Sequence, residues 1–252
     1  SFPDRRSAVA RERQLKGWSR AKKLALVNGD VAELVSVFAV TDRAARHKGI
    51  TAFVVEKGTP GFSAGRALHK LGMRSSVTSE LFLEGCPVPE ENRLGEEGAG
   101  FLMALQAVEW DRSVLLAPFL GQMQFLLDRS CGYARDRVQF GRPIATFQAV
   151  KHKIADMKIL LEAARTLVYR VAWCKDRGRA LNPLEAACAK LFVGDASLGP
   201  THDALVLHGG YGYCHEYDVE RVFRDGRLAA IGGGTSDIQK LVISRLMEAE
   251  GG

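Results

Sequence analysis

Residues 80–126 read ELFLEGCPVPEENRLGEEGAGFLMALQAVEWDRSVLLAPFLGQMQFL, and the spacing of apolar residues changes within them. The run ELFLE at residues 80–84 is short and rich in aliphatic and aromatic side chains, which is typical of a β-strand. Glycine and charged residues then dominate residues 92–98, which indicates a linker. From Phe101 to Leu126 apolar residues recur at intervals of three and four, a pattern that predicts a long amphipathic helix. A β-rich segment is therefore followed by a helical one.

Further strand-like runs lie upstream of this linker. Residues 34–41 (LVSVFAVT) and 50–56 (ITAFVVE) are rich in β-branched and aromatic residues, which favour strands. Turn-forming residues separate these runs, at Lys48-Gly49 and in the GTPG of residues 58–61. The pattern predicts an antiparallel sheet.

Downstream of the linker the helical spacing recurs in three more segments, at residues 147–164, 184–207 and 238–246. Four amphipathic helices cannot bury their apolar stripes singly, so we expect an antiparallel four-helix bundle. The predicted fold class is α+β: a partial antiparallel β-domain at residues 1–97, with a basic N-terminal arm, followed by the bundle at residues 98–252.

The composition is that of a globular protein. Among the 252 residues 46% are hydrophobic and 25% are charged, and no apolar run approaches the roughly 20 residues that a membrane-spanning helix needs. We therefore expect a soluble cytoplasmic protein with no membrane partner. The five cysteines are widely spaced without a C-x-x-C pair, and the six histidines form no ligand motif, so we predict reduced thiols and no metal.

The formal net charge is +6, and a large share of it lies in the first 23 residues. A basic arm of this kind is compatible with nucleic acid, but no aromatic residues interleave with the basic ones, so a solvated terminus is favoured. The positive balance also suits an anionic, phosphate-bearing substrate.

Two glycine-rich segments have more than one interpretation. Gly232-Gly233-Gly234 leads into Thr235 and Ser236 at the start of a predicted helix, which would form an anion site or an ordinary helix entry with an N-cap. The segment LHGGYGY at residues 207–213 ends a helical pattern, either as a plain C-cap or as a close approach to a cofactor.

Arg137, Gln139 and Phe140 precede a Gly-Arg-Pro sequence. An arginine for a pyrophosphate, an amide for hydrogen bonding and an aromatic ring for packing would suit a dinucleotide. A solvated arginine and a core phenylalanine are the structural alternative.

Together, six segments in this order resemble the acyl-CoA dehydrogenase family over about residues 22–250. They are KKLALVNGD, KGITAFVVEKGTPGF, KLGMRSSVTSELFLEGCPVPEENRLGEEGAGF, YARDRVQFGRPIATFQAVKHKIADM, LHGGYGYCHEYDVERVFRDGRL and IGGGTSDIQKLVISR. The resemblance implies a truncated middle β-domain and a C-terminal helical domain, without the family's N-terminal helical domain.

By resemblance the chain is an oxidoreductase that uses FAD for α,β-dehydrogenation of an acyl-CoA or acyl-carrier-protein thioester. An electron-transfer flavoprotein or another acceptor would take the electrons, and a homodimer or tetramer is implied. The alternative is a non-catalytic relative that completes a shared cofactor site in a heteromer.

The resemblance also implies cofactor contacts. Arg137, Gln139 and Phe140 match residues that contact the flavin cofactor of the partner subunit, and the matching glycine is Gly210. Thr235 and Asp237 are implied as further cofactor-binding residues. Among these cofactor contacts three positions depart from the family pattern, namely Ala25, Val27 and Val206, where the family has an aromatic residue, a hydroxyl residue and a glutamine.

The family's common catalytic base is replaced by Gly233. A second branch, resembling isovaleryl-CoA dehydrogenase, implies Asp111 on the first long helix as the base and Arg112 as a substrate-binding residue. Val108 and Leu115 place Asp111 along the apolar stripe, where a carboxylate should have a raised pKa. The structural alternatives are an ion pair of Asp111 with a cation from another element and a surface pair between Glu109 and Arg112.

Overall fold

The computed structural model of the chain describes residues 34–177 and 182–250, except for the side chains of residues 109–114 and 249–250. The basic arm, Ala25 and Val27 lie outside the described residues, and so do the side chains of Asp111 and Arg112. The chain divides into two compact units. One is the described part of Ser1–Leu68 with Val77–Ala107, and the other is His69–Ser76 with the described part of Val108–Gly252.

The first unit is built on short antiparallel strands. They are β1 (Leu34–Val40), β2 (Ile50–Glu56), β3 (Phe62–Ala64), β4 (Leu81–Leu83) and β5 (Arg93–Leu94). The three-stranded sheet has the order β1-β2-β5, with Leu34 opposite Glu56 and Val40 opposite Ile50, while β3 pairs with β4. All pairings are antiparallel, which confirms the predicted direction, and β1, β2 and β4 match the predicted runs. Strand β3 was not predicted, and β5 lies within the predicted linker.

Strand β2 is the centre of this unit because both of its faces are covered. Ala52, Val54 and Val55 are buried, and so is the polar Thr51. The Thr51 hydroxyl accepts a hydrogen bond from the Gly98 N–H at 3.0 Å and shares one with the Thr41 hydroxyl at 2.8 Å. The predicted linker is therefore fastened to the sheet.

The helices follow in chain order: α1 (Gly100–Val114), α2 (Ala117–Asp136), α3 (Gln148–Asp176), α4 (Pro183–Ala196), α5 (Leu198–His208), α6 (Val219–Gly226) and α7 (Ser236–Glu250). A two-stranded hairpin, β6 (Val138–Gln139) and β7 (Arg142–Pro143), connects α2 to α3. The core of the second unit is formed by apolar residues of α2 to α6, among them Met123, Leu126, Met157, Leu161 and Val193. Together, helices and antiparallel sheets confirm the α+β class. Within the described residues, no helix is long and apolar enough to cross a membrane.

Two of the predicted helical segments are each divided into two helices. The first breaks between α1 and α2, where Pro118 occupies the first turn of α2, and the third breaks at Ser197, two residues before Gly199-Pro200. Proline lacks a backbone N–H and suits a first turn, so the chain restarts a helix there although the apolar spacing continues. Helix α6 was not predicted because it has only eight residues.

A loop from residue 69 to residue 76 packs on α6 within the second unit. The Met73 N–H donates to Asp225 Oδ1 at 2.5 Å, and Arg224 Nη1 donates to the Leu71 carbonyl at 3.1 Å. A Cβ added to Gly72 would lie 2.6 Å from the carbonyl carbon of Arg224. Only glycine permits this approach of two backbones.

Candidate functional site

A cavity of about 430 Å³ lies in the second unit, between the end of α2 and the end of α5. Its wall is mostly apolar and carries one arginine and one glutamine. The lining residues are Tyr133, Arg137, Gln139, Ile144, Val206, Leu207, His208, Gly209, Gly210, Tyr211 and Cys214. A pocket of this size with few polar groups is typical of a binding site for a small ligand.

One wall is positioned by the end of α2 and the hairpin that follows. The Arg137 N–H donates to the Tyr133 carbonyl at 2.8 Å, and Arg137 then adopts an extended conformation that turns the chain into β6. At the hairpin tip Phe140 and Gly141 have φ angles of 52° and 79°, as a two-residue turn with left-handed backbone requires. Arg137 and Gln139 are thereby held on a short, well-defined hairpin.

The opposite wall is formed where α5 ends. Gly209 ends the helix with φ of 58°, and residues Gly209–Tyr213 continue as a 3-10 turn. A Cβ added to Gly210 would meet no atom within 4 Å, whereas one added to Gly212 would lie 2.7 Å from the Leu205 carbonyl oxygen. Gly212 therefore serves packing, and Gly210 leaves bare backbone beside the cavity.

Two stacked aromatic rings form part of the cavity wall. The rings of Tyr133 and His208 stack with their centroids 4.3 Å apart, and the Tyr133 hydroxyl donates to the His208 carbonyl at 3.3 Å. His208 Nδ1 donates to the Ala204 carbonyl at 2.8 Å. Burial lowers the pKa of His208 and raises the pKa of Tyr133, so both rings are uncharged near neutral pH.

Arg137 gives the cavity a positive charge. Its guanidinium carbon lies 5.6 Å from the centre of the Tyr211 ring, so the cation and the aromatic face adjoin each other. An arginine, an accessible amide, open glycine backbone and apolar walls fit a phosphate-bearing ligand with a planar group. The described residues contain no group of three or more acidic, histidine or cysteine side chains that could hold a metal ion.

Four of the predicted cofactor residues meet here. Arg137, Gln139 and Gly210 line the cavity, and Phe140 lies on the adjoining hairpin tip. Phe140 is 91% exposed, so it is not the core residue that the structural alternative requires. Its ring meets the Phe147 ring edge-on at 6.0 Å.

The other two predicted cofactor residues lie at the start of α7 and do not line this cavity. The Thr235 hydroxyl accepts a hydrogen bond from the Ile238 N–H at 3.3 Å, which is the N-cap alternative. Asp237 is 89% exposed and lies 3.4 Å from the Lys240 ammonium group. The side chains of Asp111 and Arg112, in α1, are outside the described residues, so their assignments stay predictions.

Among the lining residues that sequence reasoning did not assign are the aromatic ones, Tyr133, His208 and Tyr211. Tyr133 lies four residues before Arg137, while His208 and Tyr211 flank the pair Gly209-Gly210. All three therefore lie within or next to the motifs that the sequence had singled out. The stacking of Tyr133 on His208 could not be predicted from the motifs, because these residues lie 75 positions apart in the sequence.

Comparison with known proteins agrees with these observations. The family model described as "Acyl-CoA dehydrogenase, middle domain" matches residues 9–86, and the one described as "Acyl-CoA dehydrogenase, C-terminal domain" matches residues 98–248. The chain belongs to the acyl-CoA dehydrogenase family. The resemblance predicted from the six sequence segments is thereby confirmed.

Two relatives and one solved structure show the extent of the likeness. The chain is 41% identical over 220 residues to a short-chain specific acyl-CoA dehydrogenase of Megasphaera elsdenii, covering 87% of this chain and 57% of the relative. It is 44% identical over 223 residues to the mitochondrial isovaleryl-CoA dehydrogenase of Oryza sativa subsp. japonica, covering 88% and 54%. The crystal structure of the prolyl acyl carrier protein oxidase AnaB matches with a TM-score of 0.82 and 40% identity, covering 87% and 58%. The chain spans a little more than half the length of these proteins.

Proposed function

We propose that the chain is the middle and C-terminal part of an FAD-dependent dehydrogenase that oxidises an acyl thioester between its α and β carbons. The observation that carries this proposal is the cavity in which Arg137, Gln139 and Gly210 meet. In the domain organisation that we propose, residues 1–97 form the β-rich part and residues 98–252 the helical part. The thioester would be carried by coenzyme A or by an acyl carrier protein.

The residues of the cavity fit the dinucleotide part of FAD. Arg137 would pair with the pyrophosphate, Gln139 would donate and accept hydrogen bonds, and the backbone at Gly210 would allow close approach. Phe140, exposed at the hairpin tip, would pack against the cofactor of a partner subunit in a homodimer or tetramer. Thr235 and Asp237 would contact the cofactor from the start of α7. FAD, when bound, would supply the acceptor for the β-hydride, and its electrons would pass to an electron-transfer flavoprotein or another acceptor.

The α-proton needs a base from the protein. Gly233 has no side chain at the position of the family's common base, so Asp111 on α1 is our candidate, with Arg112 beside it for the substrate. A carboxylate works as a base near neutral pH when burial raises its pKa. Aspartate is shorter than glutamate by about 1.5 Å, and at reacting distances a misplacement of that size costs on the order of a hundredfold in rate.

A flavin titration of the purified chain tests the cofactor assignment. We expect FAD to bind and Arg137→Gln to weaken binding about 10- to 100-fold, as for a lost hydrogen bond to a charged group. Arg135→Gln is the matched control, because Arg135 is exposed in the last turn of α2, two residues before Arg137, and donates to the Cys131 carbonyl instead of lining the cavity. Equal effects of the two variants would contradict the assignment.

The same titration distinguishes the alternative of a non-catalytic subunit. A chain of that kind stays colourless with FAD alone and gains flavin only when an intact family member is added. Gln139 and Phe140 would then complete a site whose remaining contacts come from the partner.

Exchange of the substrate's α-hydrogen with solvent deuterium tests the base. We expect Asp111→Asn to reduce the exchange rate at least about 100-fold, since the proton then has no acceptor. Glu109→Gln is the matched control, because positions i and i+2 of a helix face different directions. Exchange that survives in Asp111→Asn would assign the base elsewhere.

A further inference from the structure

A buried amide lies beneath the glycine turn that precedes α7. Gln239 is 0% exposed, and its Nε2 donates to the Gly233 carbonyl at 3.2 Å. A carbonyl oxygen only accepts, so this bond fixes which end of the amide is the nitrogen. Gly233 and Gly234 have φ angles of 67° and 98°, so the amide holds a turn that glycine alone adopts readily.

The other end of the same amide costs stability. Gln239 Oε1 is buried and has no hydrogen-bond partner among the described residues. A buried acceptor without a partner loses its hydration and gains nothing in return. A methionine of similar length would fill the same space without that loss, so for packing alone the amide is the poorer choice.

Three side chains set the shape of the turn and the helix start. Gln239 holds the Gly233 carbonyl, Thr235 caps the Ile238 N–H, and the Ser236 hydroxyl donates to Asp195 Oδ1 at 2.6 Å. The outer side of the turn is open, because a Cβ added to Gly233 would meet no atom within 4 Å. Buried Gln239 therefore stabilises the turn on its inner side, while its outer side is open to a ligand.

We propose that Gln239 is a positioning residue for the cofactor contact at the start of α7, and that its unpaired oxygen is the cost of bracing the turn. This inference rests on the proposed function, in which Thr235 contacts FAD. Because Gln239 is fully buried, it would act through the turn and not by touching the cofactor. It fixes the backbone from which Thr235 and the N–H groups of the first turn are presented.

The two roles of the amide predict opposite effects of one substitution. Gln239→Met removes both the unpaired buried acceptor and one neutral hydrogen bond; the acceptor costs at least as much stability as the bond contributes, so the thermal unfolding midpoint should equal or exceed that of the wild type. The turn loses its brace, so the Kd for FAD should rise about five- to tenfold, as for the loss of one neutral hydrogen bond. A residue that served packing alone would not separate stability from binding in this way.

The experiment measures thermal unfolding and FAD titration for the wild type, Gln239→Met and Arg245→Met. Arg245→Met introduces the same side chain at an exposed position of α7 and should change neither quantity. A lower midpoint in Gln239→Met, or an FAD affinity equal to that of the wild type, would overturn the inference while leaving the proposed function standing. A wild-type chain that binds no FAD, alone or with an intact family member, would overturn both.

Discussion

Gly210 and Gly212 lie two residues apart beside the cavity, and we predict that alanine has opposite consequences at the two positions. A Cβ at Gly212 would lie 2.7 Å from the Leu205 carbonyl oxygen and 3.0 Å from the Cβ of His208. A Cβ at Gly210 would meet no atom within 4 Å. Gly212→Ala would disrupt packing inside the fold, whereas Gly210→Ala would place a methyl group on the wall of the proposed cofactor site.

The contacts give the magnitudes. Gly212 is buried, and the Leu205 backbone that it faces cannot rotate away as a side chain can, so Gly212→Ala should cost about 2 kcal/mol, within the range for overpacked cores. For a chain of this size that lowers the unfolding midpoint by about 4–8 °C. Gly210→Ala should be neutral, or stabilise by at most about 1 kcal/mol, because alanine restricts the unfolded chain. Its methyl group should weaken FAD binding at least about tenfold, which is about 1.4 kcal/mol.

The assay is thermal unfolding of the ligand-free variants followed by FAD titration of each at a temperature where both are folded. The reasoning is refuted if Gly210→Ala loses stability, or if it binds FAD as tightly as the wild type. A stable Gly212→Ala would refute the packing geometry.

Three further predictions concern stability. Hydrogen bonds from Arg224 and His215 lower the pKa of Glu220 from 4.5 to about 2. The ionised Glu220 therefore stabilises the folded state fully above pH 4.5, and this contribution disappears as the pH falls towards 2. In urea unfolding, Glu220→Gln should cost about 1 kcal/mol at pH 7 and little at pH 2. Gly72→Ala should lower the thermal unfolding midpoint by several degrees, because the added Cβ would meet the Arg224 backbone. Gly132→Ala is the control and should raise the midpoint slightly, because an added Cβ inside α2 meets no atom within 4 Å there. Equal midpoints would contradict the close approach at Gly72. The Asn182 side chain accepts a hydrogen bond from the Leu184 N–H at 2.8 Å and so caps α4. Asn182→Ala should lower the free energy of unfolding in urea by about 1 kcal/mol. An unchanged free energy of unfolding would mean that this cap does not stabilise α4.

Three of the strands were predictable from local sequence. The bounds of β1, β2 and β4 differ from the predicted runs by one residue at most at each end, because β-branched and aromatic residues lie between strong turn signals. Strand β3 was not predicted, and β5 lies within the predicted linker. The two helix breaks were missed because apolar spacing continues across Pro118 and Pro200, and spacing alone does not distinguish one long helix from two short ones.

The site was predictable in part. Arg137, Gln139 and Phe140 are neighbours in sequence, so one local motif places them together, and Gly210 joins them through the packing of α2 against α5. The ring stack of Tyr133 and His208, and the amide of Gln239 beneath the turn, depend on side-chain positions that no spacing reveals. At the start of α7 the sequence left an N-cap and an anion site as alternatives. The Thr235 hydroxyl caps its own helix in the structure, and its contact with a cofactor stays a prediction.

The measurement that tests the central claim most directly is the absorbance spectrum of the purified chain with FAD, followed by anaerobic addition of acyl-CoA and acyl-carrier-protein thioesters. Our account predicts bound flavin whose visible absorbance bleaches with one class of thioester, and bound flavin that does not bleach in Asp111→Asn. A chain that holds no flavin even with an intact family member, or flavin that no thioester reduces, would contradict it.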